Sequence, residues 1–355
     1  MGFAVGSQAL GMLAGTIGAG LLVGWVGWEW IFLGRTPFAV AAIILGVWFL
    51  ERNRSGSSSG PAFDIAGAVF LVGGLLSLII GLRLGRSLGW DSPVVLTLLP
   101  LAPVFLVAFW RVERTAKWPV LPGYLLWLTG FIVSSSSMFL ANLGVFVIWF
   151  IFPFYVADSL GGGALTLGLM LATLAIFNTV SSGAGGWLCD RFSYLPVGFG
   201  GLLVMAAGLL YLGYLDTGSS LGQVALRVGI VGAGLGLFQA ATYSLMLGSV
   251  PSDRFGTASA ALSLAQSCGR VLSVAVIGGI FAWRSDHHLA ALAITADAEG
   301  VAFIKAFKDV FVIGSSLGLL AALVFLAGGW RALQGGKAVE RPSNEPTGAG
   351  LTPQV

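Results

Sequence analysis

The sequence predicts an all-α polytopic membrane protein, a bundle of about ten transmembrane helices. Three observations carry that prediction. Of 355 residues, 57% are hydrophobic and only 9% charged, with a mean hydropathy of +0.93. A soluble chain carries about 25% charged residues and needs them to keep its surface in water. The apolar residues fall into runs of roughly the 20 residues that cross a bilayer core. No segment alternates apolar and polar residues with the period of a strand.

Charges, glycines and prolines bound the runs, which predict spans over 4–24, 31–50, 64–85, 93–111, 130–157, 165–188, 195–215, 221–247, 257–283 and 310–330. The first run has no basic leader and no small-residue cleavage site, so it reads as a span and not as a signal peptide. The stretch Glu51 to Pro61 is charged and then Gly/Ser-rich, a cytoplasmic linker between two spans and the eight that follow. The tail, 332–355, is rich in Gly and Pro and is expected to be disordered.

Basic residues set the orientation, because cytoplasmic loops retain Lys and Arg. One side collects Arg52, Arg54, Arg111, Arg114, Lys117, Arg191, Arg254, Arg331, Lys337 and Arg341. The other holds Arg35, Arg83, Arg86, Arg284, Lys305 and Lys308, three of them in or beside one long outer loop, 284–308. The first side, with the C-terminus, is placed in the cytoplasm, and the protein in the plasma or inner membrane. Tryptophan prefers the headgroup level. Trp25, Trp28, Trp30, Trp90 and Trp283 fall at predicted outer ends, and Trp48, Trp110, Trp118, Trp127, Trp187 and Trp330 near inner ends. Trp149 alone sits well inside a span, where it either lines a pathway or packs between helices.

Several function classes are excluded. A net charge of +3 without a dense basic run argues against nucleic acid. Cys189 and Cys268 read as small apolar side chains, and His287 and His288 as a solvated pair in a polar loop. No nucleophile triad, zinc-protease motif or phosphate-cradling loop is present, so no enzyme, cofactor or metal is expected.

The first span carries Gly11, Gly15 and Ala19 at four-residue spacing, with Gly18 and Gly20 beside them, a pattern that lets helices approach closely in lipid. In context the pattern is more specific. The segment Gly11 to Phe38 resembles the fifth-to-sixth-span region of the major facilitator superfamily, in particular its fourteen-span drug:proton antiporters of the QacA/EmrB type. The antiporter motif there reads Gly-x-x-x-Gly-Pro-x-x-Gly-Gly. Gly11, Gly15 and Gly20 match it, Thr16 stands in place of proline, and Ala19 replaces a glycine. Asp64 and Gly67 resemble the start of the next span. Gly89, Trp90, Ser92 and Pro93 resemble an outer turn, and Glu113 to Leu121 an inner loop. Gly186, Leu188, Asp190, Arg191 and Phe192 match the second-half gating loop Gly-x-Leu-x-Asp-Arg-x-Gly, with Ser193 replacing its last glycine. Gly256, Ala258, Ser259, Gly269 and Ala275 resemble the thirteenth span.

The resemblance implies a major facilitator helical bundle comprising spans five to fourteen of the family, truncated at its N-terminus by four helices. The corresponding organisation places the last two helices of an N-terminal bundle at 1–50, a linker at 51–61, two extra helices at 62–112, a cytoplasmic loop at 113–129 and a C-terminal six-helix bundle at 130–331. It also implies proton-coupled efflux of drug-like or amphipathic molecules by a monomer, with lipid, a small-molecule substrate and protons as partners. The gating-loop Asp190 and Arg191 would help hold an inner gate shut; the alternative is a solvated loop pair. The family's central cavity points to two spans here. On one, Asn142, Phe146, Trp149 and Pro153 share a face; on the other, Gly232, Gly236, Gln239, Tyr243 and Met246 do. Aromatic and amide surfaces suit bulky apolar or cationic solutes, and interhelical packing is the competing reading.

The span 257–283 carries a polar stripe of Ser259, Ser263, Gln266, Arg270 and Ser273, with Arg270 near mid-membrane. A charge there costs about 2.5 to 3.5 kcal/mol on insertion scales and should face protein or water. No carboxylate lies mid-span. Arg270 therefore pairs with carbonyls, water or an anionic substrate, or with an acid on helices outside this chain. Arg227, near a span end, is expected to snorkel. Two alternatives stay open: a non-transporting fragment, and a facilitator of an anionic solute.

Overall fold

A computed structural model describes residues 2–49, 64–89, 91–115, 123–251, 254–291 and 298–336. The 51–61 linker, Trp90, Trp118 and the tail beyond 336 lie outside these. The described residues form α1 (Gly2–Trp25), α2 (Glu29–Phe49), α3 (Ile65–Leu88), α4 (Pro93–Thr115), α5 (Thr129–Val145), α6 (Val147–Phe154), α7 (Ala164–Phe192), α8 (Tyr194–Gly213), α9 (Leu221–Ser249), α10 (Phe255–Ala291) and α11 (Ala298–Gly336). A short 3-10 helix, Gly123–Trp127, precedes α5. Among the described residues there is no strand, and nine helical spans are long and apolar enough to cross a bilayer. Helix α1 adds a shorter apolar stretch, Leu13–Trp25.

One span is broken. The run read as 130–157 folds as α5, α6 and a π-helical turn at Tyr155–Ser159. Pro153 has no N–H to offer the carbonyl four residues back and crowds that turn. Phe146 separates α5 from α6 while its N–H still donates to the Asn142 carbonyl at 3.1 Å, and Leu160 N–H closes a wide turn on the Tyr155 carbonyl at 3.3 Å.

Two other spans overshoot the sequence reading. Helix α10 has 37 residues and α11 has 39, about 55 to 58 Å at a 1.5 Å rise, against roughly 40 to 45 Å for a whole bilayer. The expected loop 284–308 is therefore largely helical, and His287 and His288 lie on α10, not in a loop. The reason is electrostatic. Arg284 Nε donates to Asp309 Oδ2 at 2.7 Å, and His288 Nε2 lies 2.7 Å from the same oxygen, tying polar turns that have no apolar signal. Residues 332–336, expected in the disordered tail, are instead helical, since α11 continues to Gly336.

Helices α5 to α11 pack as one bundle. Within it α9 lies against α7 and α8, α11 against α8 and α5, and α10 against α5 and α11. Its core holds the fully buried rings of Phe152, Tyr155, Phe238, Phe307, Phe311 and Phe325. Lipid removes the hydrophobic drive between helices, so backbone approach has to replace it. At the α5–α11 crossing a Cβ on Gly144 would meet the Gly314 carbonyl at 2.6 Å, and one on Gly314 the Gly144 carbonyl at 2.8 Å.

Two helix pairs flank the bundle. Helix α1 lies on α7 and carries α2, which has no buried residue. Helix α3 pairs with α4 and touches α10. Asp64 caps α3 by accepting from Gly67 N–H at 2.8 Å. Trp25, Trp28, Trp30, Trp48, Trp110, Trp127, Trp187, Trp283 and Trp330 are all exposed, while Trp149 is half-buried against the core. Cys189 and Cys268 are free thiols.

Candidate functional site

The structure divides the expected site residues among three places. The first is the α1–α7 seam. A Cβ on Gly20 would meet the Ala164 carbonyl at 3.0 Å, and one on Gly168 the Thr16 carbonyl at 2.9 Å. The seam thus runs through Thr16 and Gly20. Around Gly11 and Gly15 no described atom lies within 4 Å of an added Cβ, and Ala19 is half-buried. Thr16 Oγ1 donates to the Leu13 carbonyl at 3.1 Å, so the residue in the motif's proline position turns its hydroxyl back on its own helix.

The second place is the α7–α8 corner. Gly186, Asp190 and Arg191 occupy the last two turns of α7, with Asp190 and Arg191 exposed. The Arg191 guanidinium lies 5.5 Å from the Trp187 ring centroid and 5.8 Å from that of Phe192. Ser193, in the position of the motif's last glycine, makes the turn into α8 with φ +93° and ψ +154°. That region is essentially glycine territory.

The third place is the meeting of α5–α6, α9 and α10. Here the expected face divides. Asn142 is buried, and its Nδ2 donates to the Met138 carbonyl at 2.9 Å. Its Cβ side is pressed on α10, where a Cβ on Gly269 would meet Asn142 Cβ at 3.2 Å and the Phe139 carbonyl at 2.5 Å. Gln239 turns to α7 instead, its Oε1 accepting from Asn178 Nδ2 at 3.4 Å. The Gln239 amide is thus engaged between helices, and that of Asn142 within α5. Phe146 lines a cavity with Phe150 and Arg270, whereas Trp149 packs on the core. Tyr243 is partly exposed and within electrostatic reach of Arg270.

The polar stripe of α10 is also split. Ser263 is exposed, Gln266 is half-buried, and Ser273 is buried, its Oγ without a hydrogen bond among the described residues. Arg270 Nη2 donates to Ser267 Oγ at 3.1 Å, one turn back. The cavity beside it, about 1310 Å³, is walled by α10, α3 and the α5–α6 break, with Ile79, Val274 and Gly278 among its lining. Arg227 stays at its span end, donating to the Tyr211 carbonyl at 3.0 Å with its guanidinium 4.1 Å from the Tyr211 ring centroid.

Residues 134–347 match the profile of the Major Facilitator Superfamily over the bundle just described. The chain belongs to the major facilitator superfamily. Similar members include the multidrug transporter protein MdtP of Bacillus subtilis, 30% identical over 283 residues, covering 78% of this chain and 52% of that protein. The tetracenomycin C resistance and export protein of Streptomyces glaucescens is 26% identical over 287 residues, 78% of this chain and 53% of that protein. The puromycin resistance protein pur8 of Streptomyces alboniger is 28% identical over 294 residues, 79% and 56%. The chain spans about half the length of the curated relatives it matches.

In this facilitator chain several polar residues escaped the sequence reading. Asn178, the partner of Gln239, carries no local signal, because its role depends on α7 lying beside α9. The run Ser134 to Ser137 does carry one: four hydroxyls in a row inside an apolar span. Ser134 Oγ donates to the Thr242 carbonyl at 3.4 Å, and Ser137 is buried. Ser267 sits one turn before Arg270 and was legible by that spacing.

Proposed function

We propose that this chain serves an exporter that carries amphipathic, drug-like molecules across the plasma membrane by alternating access, in exchange for protons. Helices α1 and α2 belong to an N-terminal bundle, α3 and α4 are linker helices, and α5 to α11 are the C-terminal bundle, with the C-terminus in the cytoplasm. The observation that carries the reading is the α1–α7 seam, where Thr16, Gly20 and Gly168 meet backbone to backbone. A rocking motion between two bundles has to open and close at such a seam.

The relatives support export, since their names speak of multidrug transport, tetracenomycin C export and puromycin resistance. In this reading Phe146 and Tyr243 line the solute path, Asn142 and Gln239 hold the helices that form it, and Asp190 and Arg191 work the inner gate. Expression in a pump-deficient bacterial host tests it. Steady-state accumulation of ethidium and of a panel of amphipathic dyes should fall, and a protonophore should restore it. Unchanged accumulation across the panel would count against export.

A further inference from the structure

The cavity beside α10 has a charge arrangement that its own walls leave unmet. Its lining extends along α10 from Ser267 to Asp286, about 28 Å at 1.5 Å per residue. Its volume of about 1310 Å³ is ample for a drug-sized ligand. Asp286 stands at one end of that stretch, and the lining also includes Arg83 of α3, of opposite charge. The other end carries Arg270. Between them the walls are apolar, with Ile79 of α3, Val274 of α10 and Phe150 of α6. Gly278 makes room for that wall, since a Cβ there would lie 2.7 Å from the Phe150 ring.

Arg270 has five N–H donors. Among the described residues its hydrogen bonding is met by Ser267 Oγ alone. A cation is repelled from such a site, and a neutral apolar body leaves the remaining donors unmet. An anionic head accepts two of them side by side, in surroundings of low dielectric that strengthen the bond.

We propose that this cavity binds an amphipathic organic anion, its carboxylate-like head on Arg270 and its apolar body laid along Val274, Ile79 and Phe150 toward Arg83. A free organic acid and an anionic phospholipid share this chemistry. The site is defined by binding and does not depend on the export reading.

The test uses the purified protein in phosphatidylcholine nanodiscs, labelled by a diazirine-bearing long-chain carboxylic acid or by its methyl ester, with the labelled peptides mapped. The acid should label the cavity walls of α3 and α10 at least about tenfold more than the ester, as expected for a charge-assisted hydrogen bond. Arg270→Gln should bring the acid down to the ester level, and Arg270→Lys should retain part of the difference. Added phosphatidylglycerol distinguishes the sources: competition identifies the phospholipid as occupant, and its absence identifies the free acid. Equal labelling by acid and ester, labelling outside these walls, or unchanged labelling of Arg270→Gln overturns the proposal. If Arg270→Gln does not fold, the acid-to-ester ratio on the unsubstituted protein decides alone.

Discussion

Gly20 of α1 and Gly168 of α7 face each other so closely that a Cβ on Gly168 would come within 3.4 Å of the Gly20 Cα and 2.9 Å of the Thr16 carbonyl. Backbone cannot yield as a flexible side chain can, so larger residues must push α1 away. Gly168→Val should destabilise the detergent-solubilised protein by about 1 to 3 kcal/mol, the usual cost of overpacking. Gly15→Val, with nothing within 4 Å of its Cβ position, should cost far less. Thermal unfolding of the two variants in one detergent compares them directly. An equal loss in both would mean that the seam does not hold α1.

The α7–α8 corner yields a stabilising prediction. Ser193 holds a φ of +93° that glycine adopts freely. Ser193→Gly should raise stability by roughly 1 to 3 kcal/mol, the strain of such a backbone in a residue with a Cβ. Gly186 offers the converse, because its Cβ position is open and it lies inside α7. Gly186→Ala should gain about 0.5 to 1 kcal/mol from helix propensity. Chemical denaturation in mixed micelles reads both; a loss in Gly186→Ala would show a packing role that the geometry does not contain.

These two corners illustrate what the sequence made legible. Span existence followed from apolar length and charged boundaries, and the substitution of Ser193 for glycine was visible before its backbone angle was. Helix ends were not legible at α10 and α11, because the apolar pattern stops with the lipid while Arg284, His288 and Asp309 carry the helices further. The interruption at Phe146 was hidden because Pro153 disturbs only the bond to the carbonyl four residues back, that of Trp149. Periodicity placed Asn142, Phe146 and Trp149 on one face, but a face has two neighbours. The structure gives Asn142 to α10, Phe146 to the cavity and Trp149 to the core.

Tyr155 provides a long-range polar tie. Its ring is fully buried, and its hydroxyl donates to the Asp216 carbonyl at 2.7 Å, joining the end of the α5–α6 span to the α8–α9 loop. Tyr155→Phe keeps the ring packing and loses one hydrogen bond, so the expected cost is about 0.5 to 1.5 kcal/mol. Calorimetry of the purified variant checks the size. A loss beyond that range would indicate that the aromatic stack with Phe307, 5.0 Å between centroids, shifts as well.

Asp309 of α11 anchors both Arg284 and His288 of α10. A double-mutant cycle of Arg284→Gln and Asp309→Asn should show a favourable coupling, so that the double variant is less destabilised than the sum of the singles. Hydrogen exchange at 284–291 should quicken in each single variant. Additive effects with unchanged exchange would mean that the helical extension does not rest on this pair.

Proton-coupled export is tested most directly by reconstituting the purified protein into liposomes with an acidic interior and following ethidium uptake. Ethidium should accumulate, driven by the pH gradient, and a protonophore should abolish the accumulation. Accumulation equal to that of protein-free liposomes would contradict proton-coupled export.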